Sequence, residues 1–231
     1  TAGFRANGVK NKLASKRSSK SDRMLFQLVN RAMVTCLAKP QSNVMVSLFT
    51  PCEMLHLQGL HPYSCEGFSS YLSGAMAEQP FLHQAEDTGI PNSLCSYHKV
   101  FIGAAQMGLM PKPRFILSTS LACDANTLTF RHLAQFYDVP HFNVDIPFES
   151  SPQAVDYVAG QLRQMGEFLT QQTGLPLDDG QLARTVARSQ RTMALYHRGL
   201  RLRAGRQVLS DLTSELLRTA AFHFLLGTPE T

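Results

Sequence analysis

Cys52 and Cys95 stand in the strings TPCEMLHLQGLHPYS and LCSYHKVFIGAAQMGL, each where a β-like run gives way to a helix-like one. Cys123 follows the apolar run Phe115–Ser120 within the polar string ACDANT. An open α/β sheet carries its chemistry beyond the carboxyl ends of its strands. Thiols placed there suit an iron–sulfur cluster, zinc, or nucleophilic catalysis. Their separations match no ferredoxin or zinc-finger spacing. Metal ligation, a reactive thiol and plain core packing therefore all stay open for each.

Cys95 is the strongest candidate, because free amides and the dipole at a helix N-terminus favour thiolate. Cys52 is flanked by Pro51 and Glu53, the latter in the first turn of the helix that follows. Asp124 and Asn126 suit a ligand-facing loop beside Cys123, and Asp124 equally suits a helix cap. Cys65 is less well placed, and Cys36, on the apolar face of the first helix, reads most simply as core. His98 lies three residues beyond Cys95, as a base for the thiol or as a structural partner. His56 and His61 are near Cys52 in sequence, whereas His83, His132 and His223 read as helix surface or packing. The chain has no GxGxxG and no GxxxxGK[ST], which disfavours a dinucleotide or P-loop site.

The elements that must position these residues follow from periodicity. Apolar residues recur at helical spacing from Met24 to Ala38, and a strand is expected over Val44–Phe49. Thr50-Pro51 opens a helix ending at Gly59, and His61–Tyr63 is a short strand or turn. Helices are expected over Phe68–Met76, Glu78–Asp87 and from Ser93 or Ser96 to Met107. Phe115–Ser120 reads as a buried strand, Thr129–Tyr137 as a helix, His141–Ile146 as a strand, and Ser150–Leu169 as a long helix with Pro152 in its first turn. This alternation predicts an α/β fold, an open, mostly parallel sheet with flanking helices of the Rossmann or flavodoxin kind. After Thr173 the pattern is helical, over Asp178–Leu200 and Arg206–Leu226. The expected organisation is a basic N-terminal segment over 1–23, an α/β domain over 24–175 and a helical segment over 176–231.

With 231 residues and 44% hydrophobic content, the chain can bury a proper core. No run reaches the roughly eighteen apolar residues of a membrane span, and no cleavable leader is evident. Five cysteines, unevenly spread, do not resemble a secreted disulfide scaffold, and a reducing cytoplasm is expected. The net charge of +5 comes from the ends. Basic residues crowd Arg5–Arg23 and again Arg184–Arg206, without the interleaved aromatics or motifs of a nucleic-acid binder. Nucleic acid and membrane are disfavoured as partners.

At FTPCEMLHLQGLHPYS, GIPNSLCSYHKVFIGAAQMGLMPKP, STSLACDANTLTF and YDVPHFNVDIPFESSPQAVDYVAGQLRQM the sequence resembles the D-component family of 2-hydroxyacyl-CoA dehydratases, which includes benzoyl-CoA reductase subunits. The strings span roughly residues 44–175. The resemblance implies an iron–sulfur subunit, with a 4Fe-4S cluster, working beside a second subunit or a homodimer mate. An ATP-dependent activator would deliver one electron, which passes to an acyl-CoA thioester for dehydration or reduction. It implies two similar α/β domains with the cluster between them. Cys52 and Cys95 become the leading ligands, Cys123 a ligand or pocket wall, and Cys65 a rival to Cys52. Asn126 joins the cofactor-binding set, and Glu53, Ser96 and His98 become the catalytic, substrate-facing candidates. Family members read CDGN where this chain reads Cys123-Asp124-Ala125-Asn126.

The chain opens on Thr1 and closes on Thr231, so it is expected to be a piece of a longer subunit or a truncated form. The competing expectation is a non-catalytic cluster-binding or structural domain that assembles with a longer subunit. A cysteine-dependent hydrolase is a third, needing Cys95 and a histidine from another element.

Overall fold

The computed structural model describes residues 20–121, 123–205, 218–219 and 221–230. In chain order the elements are α1 (Lys20–Ala38), β1 (Asn43–Val46), α2 (Glu53–Leu57), β2 (His61–Ser64), α3 (Cys65–Gly74), α4 (Gln79–Asp87) and α5 (Ser96–Gln106). They continue with β3 (Phe115–Thr119), α6 (Asp124–Tyr137), β4 (His141–Val144), α7 (Pro152–Thr173) and α8 (Asp179–Ala204). The chain divides into two units, one of residues 39–50 and 60–176, the other of residues 1–38, 51–59 and 177–231. No helix among the described residues is long and apolar enough to cross a membrane.

The first unit is the α/β body that the alternation of elements predicts. Its sheet has the order β2-β1-β3-β4 with every neighbouring pair parallel. From β1 the chain moves outward to β2, then crosses back to lay β3 and β4 on the other side. Strand order therefore reverses between β1 and β3, and such a reversal opens a crevice at the carboxyl edge. Val44–Val46 and Phe115–Leu117 are wholly buried, as the central strands of a sheet covered on both faces must be. On one face Met45 and Ile116 join Phe101, Ile102, Phe130 and Leu133 in the core. On the other, Phe168 of α7 lies 5.4 Å from Phe115 and 5.5 Å from Phe142, ring to ring. Gly103 lets α5 lie directly on α4: a Cβ there would collide with the Phe81 backbone.

Several boundaries differ from expectation for local reasons. The first strand ends at Val46 rather than Phe49, because the chain turns back at Ser47–Thr50, where the Thr50 amide donates to the Ser47 carbonyl at 3.2 Å. His61–Ser64 is a true strand, and it tolerates Pro62 because it lies at the sheet edge. The next helix starts at Cys65, three residues early, since the Ser64 side chain caps it by accepting from the Gly67 amide at 3.1 Å. The helix expected from Thr129 starts at Asp124, with Cys123 as its N-cap residue. Ala125 is thus helical, and alanine suits that backbone better than the glycine of the related motif.

The second unit is helical. Asp178 caps α8, its carboxylate accepting from the Gln181 amide at 2.6 Å. Thr185 and Ser189, one turn apart, are the buried residues of α8. Gly227 packs so closely on Thr185 and Glu53 that a Cβ there would clash. Arg218 pairs with Asp22 at 3.1 Å, and the rings of Tyr196 and Phe222 are 4.6 Å apart. Of the helix expected over Arg206–Leu226, residues 206–217 and 220 lie outside the described residues, and 221–224 are helical. The basic segment over 1–23 likewise lies outside them up to residue 19.

Candidate functional site

In a parallel sheet, a helix that follows a strand starts at the carboxyl edge, and a helix that leads into the next strand starts there too. α6 follows β3 and α5 precedes it, so Cys123 and Cys95 both stand at that edge of the α/β body. Each is the N-cap residue of its helix, and neither side chain bonds its own first turn. Both are exposed and free of disulfides. A cysteine is a poor cap because its sulfur accepts weakly, so these helix starts leave amide donors available to an anionic neighbour.

His98, in the first turn of α5, is buried. Its Nδ1 lies 3.0 Å from the Thr129 hydroxyl, its Nε2 lies 3.9 Å from the Cys123 sulfur, and its ring packs 5.1 Å from Phe101. Burial lowers its pKa, which favours neutral imidazole. The imidazole expected beside Cys95 thus approaches Cys123 across two helices. Asn126 is buried in the first turn of α6, its backbone amide donating to the Cys123 carbonyl at 3.1 Å. Ser96 is exposed next to Cys95.

Sequence reasoning missed the groups that brace this edge. Glu66, in the first turn of α3, is buried, and its carboxylate accepts from the Leu48 amide at 2.9 Å and the Ser64 hydroxyl at 3.0 Å. Burial raises its pKa, opposed by these hydrogen bonds. The Tyr97 carbonyl accepts from Ser69 at 2.9 Å, and its hydroxyl meets that of Ser70. Burial, and then the neighbouring Glu66 and Cys95, raise the Tyr97 phenol pKa. Lys99 is buried with its Nζ 2.6 Å from Glu86 and 3.1 Å from the Asn92 carbonyl, which pins the segment leading to Cys95. An acid inside the apolar stretch SCEGF and a lysine inside YHKVFIG were the signals available, since charges in apolar runs need partners.

The other thiols have different surroundings. Cys65 is fully buried in the core of the α/β body, and burial raises its pKa well above the usual thiol range. Cys52 and Glu53 belong to the helical unit. Cys52 is only 2% exposed, its thiol donating to the His223 carbonyl at 3.5 Å. Burial, and then the charge of Glu53, raise its pKa steeply. Glu53 itself is half-buried in the first turn of α2. Cys36, the buried residue of α1, is pushed up to about 11 by burial.

Among the described residues no group of three or more His, Cys, Asp or Glu side chains is arranged to hold a metal ion. The donor chemistry at the carboxyl edge nonetheless fits part of a thiolate set. Cys95 and Cys123 are accessible soft ligands at two helix starts.

Residues 47–231 match the family model described as 2-hydroxyglutaryl-CoA dehydratase, D-component. The (R)-phenyllactyl-CoA dehydratase alpha subunit of Clostridium sporogenes is 25% identical over 121 residues, a stretch covering 48% of this chain and 30% of that protein. The match therefore spans less than a third of the relative's length.

Proposed function

The chain belongs to the 2-hydroxyglutaryl-CoA dehydratase D-component family, which acts on acyl-CoA substrates, and from that premise we propose that it is the iron–sulfur part of such an enzyme. The observation that carries this proposal is the pair of exposed thiols, Cys95 and Cys123, at neighbouring helix starts on the carboxyl edge of the sheet. These two would hold a 4Fe-4S cluster. When bound, the cluster would supply a low-potential electron to an acyl-CoA thioester.

The roles of the chain's own residues follow from their places. His98, held by Thr129, would orient Cys123 and keep a neutral, hydrogen-bonding ring beside it. Ser96, exposed beside Cys95, would offer a hydroxyl to the substrate. Asn126 would fix the first turn of α6 and so the position of Cys123. Lys99 and Glu86 would hold the approach to Cys95 in one conformation. The partners proposed are a second dehydratase subunit or a second copy, and an ATP-dependent activator. The relative's printed name suggests an aryl 2-hydroxyacyl-CoA as one substrate to try.

Anaerobic purification with iron and acid-labile sulfide analysis tests the proposal. Stoichiometric iron and sulfide in the wild type, lost in Cys95→Ser and Cys123→Ser, is the expected result. A folded, metal-free wild type after anaerobic reconstitution would instead favour a structural domain that assembles with a longer subunit. The burial of Cys52 is the feature that favours that second reading.

A further inference from the structure

α8 carries six arginines and no lysine, and its only acidic residue is Asp179 in the first turn. Thr185 and Ser189 face inward, and Tyr196 packs on Phe222. On another side of the helix Arg184, Arg188, Arg191, Leu195, Arg198 and Leu202 are all exposed. Steps of four and three residues alternate along this series. It therefore forms a straight stripe, about 80° wide and about 27 Å long. Leu195 and Leu202, a heptad apart, are 57% and 52% exposed.

The charges on the stripe are uncompensated. Among the described residues no carboxylate pairs with any of its four arginines. Arg188 uses its Nη2 to donate to the Thr185 hydroxyl at 3.1 Å, a neutral partner. Arg184 with Arg188, and Arg188 with Arg191, are like-charge neighbours on one face, an arrangement that destabilises a helix. No acid on α8 offsets that cost, whereas a counter-charged surface laid along the stripe would.

Alternating steps of three and four residues are the pattern by which one helix packs along another. Here one seam position is leucine at 195 and 202, and the other is arginine at 184, 191 and 198. A second copy of the same seam would bring arginine against arginine. Carboxylates match the planar guanidinium fork, which binds them through two parallel hydrogen bonds. Nucleic acid fits less well, since both leucines would face phosphates and the stripe has no aromatic ring to stack a base. A helix lying on an anionic membrane keeps its leucines and arginines on opposite faces, and here they share one.

We propose, independently of the acyl-CoA function, that this face of α8 docks an acidic amphipathic helix of another protein chain. Leucines of that helix would pack on Leu195 and Leu202, and its glutamates or aspartates would pair with Arg191 and Arg198.

Fluorescence anisotropy with the full-length chain, purified as a single species, tests this against defined probes. The first is a dye-labelled four-heptad peptide with leucine at one seam position and glutamate at the other. The rest are a scrambled peptide of the same composition, a short duplex DNA, and vesicles of equal parts phosphatidylcholine and phosphatidylserine, read by cosedimentation. The heptad peptide should bind about tenfold or more tighter than the scrambled one, and ahead of DNA and vesicles. Arg191→Glu combined with Arg198→Glu should weaken it about tenfold or more, and should bind a heptad peptide with lysine in place of glutamate. Leu195→Gln combined with Leu202→Gln should weaken the acidic peptide about tenfold with no gain for the lysine peptide. All four positions are exposed, so both variants should keep the wild-type Tm, and a switch of preference is not a consequence of unfolding. Equal binding of heptad and scrambled peptides would reduce the stripe to bulk charge and overturn the proposal. Tighter binding of DNA or vesicles would overturn it in favour of a phosphate surface. A wild type that binds neither peptide, or a charge-reversed chain that does not switch, would also overturn it.

Discussion

The Nε2 of His98 lies 3.9 Å from the sulfur of Cys123 while its Nδ1 lies 3.0 Å from the Thr129 hydroxyl, so one ring joins α5 to two points on α6. A neutral imidazole has one donor and one acceptor nitrogen, and a hydroxyl can complement either at Nδ1. Thr129→Val keeps the shape and removes that partner inside a buried site. The loss should be about 1–2 kcal/mol of unfolding free energy, measured by urea denaturation. An unchanged midpoint would mean that the Thr129 hydroxyl does not hold the ring.

Thiol accessibility divides the cysteines into two groups. Brief iodoacetamide treatment of the native protein, read by peptide mass spectrometry, should label Cys95 and Cys123 and spare Cys36, Cys52 and Cys65. The first two are exposed, and burial keeps the other three protonated as well as shielded. Labelling of Cys65 at the rate of Cys95 would contradict its place in the core.

Gly103→Ala should be among the most damaging small substitutions in the α/β body. The added methyl meets the backbone of Phe81, which cannot rotate aside as a side chain would. Separating α4 from α5 should cost about 2–3 kcal/mol, seen as a lower denaturation midpoint. A neutral result would require the two helices to part without loss of packing.

A pH effect follows from β3 and β4. The Ser118 hydroxyl donates to the Asn143 side-chain oxygen Oδ1 at 2.7 Å and therefore accepts from His141 Nε2 at 2.8 Å. Burial, and then the positive charge of Arg131, lower the His141 pKa to about 4. An unfolded histidine titrates near 6.5, so the unfolded state takes up the proton first as pH falls. The contribution is fully present above about pH 6.5 and is lost between there and about pH 4. Because the ring is only partly buried, the loss should be about 2 kcal/mol. His141→Gln should flatten this part of the stability profile, and an unchanged profile would place the acid sensitivity elsewhere.

Much of the fold was legible because local rules and tertiary packing agree. Val44–Val46 and Phe115–Leu117 are continuous apolar runs, and such runs suit strands buried on both faces. Ser151-Pro152 and Asp178 start helices by chemistry confined to three or four residues. The boundaries that moved did so through contacts that periodicity does not report. Ser64 starts α3 early with a side-chain cap, and the Ser47–Thr50 turn ends β1 before its apolar run is finished.

The sequence by itself determined the parallel α/β body, the cysteines at helix starts and the family, since these depend on residue type and spacing along the chain, whereas the strand expected before Cys95 is absent and α4 (Gln79–Asp87) precedes it. Only the tertiary structure decided which thiols are accessible. Cys52, Cys95 and Cys123 all sit at helix starts, yet Cys52 is buried and the other two are exposed. Exposure depends on what covers a position, and that cover comes from residues distant in sequence, as His223 does for Cys52. The same holds for Glu66. A buried carboxylate is stable only where Leu48 and Ser64 converge on it, and nothing in a local pattern specifies that convergence.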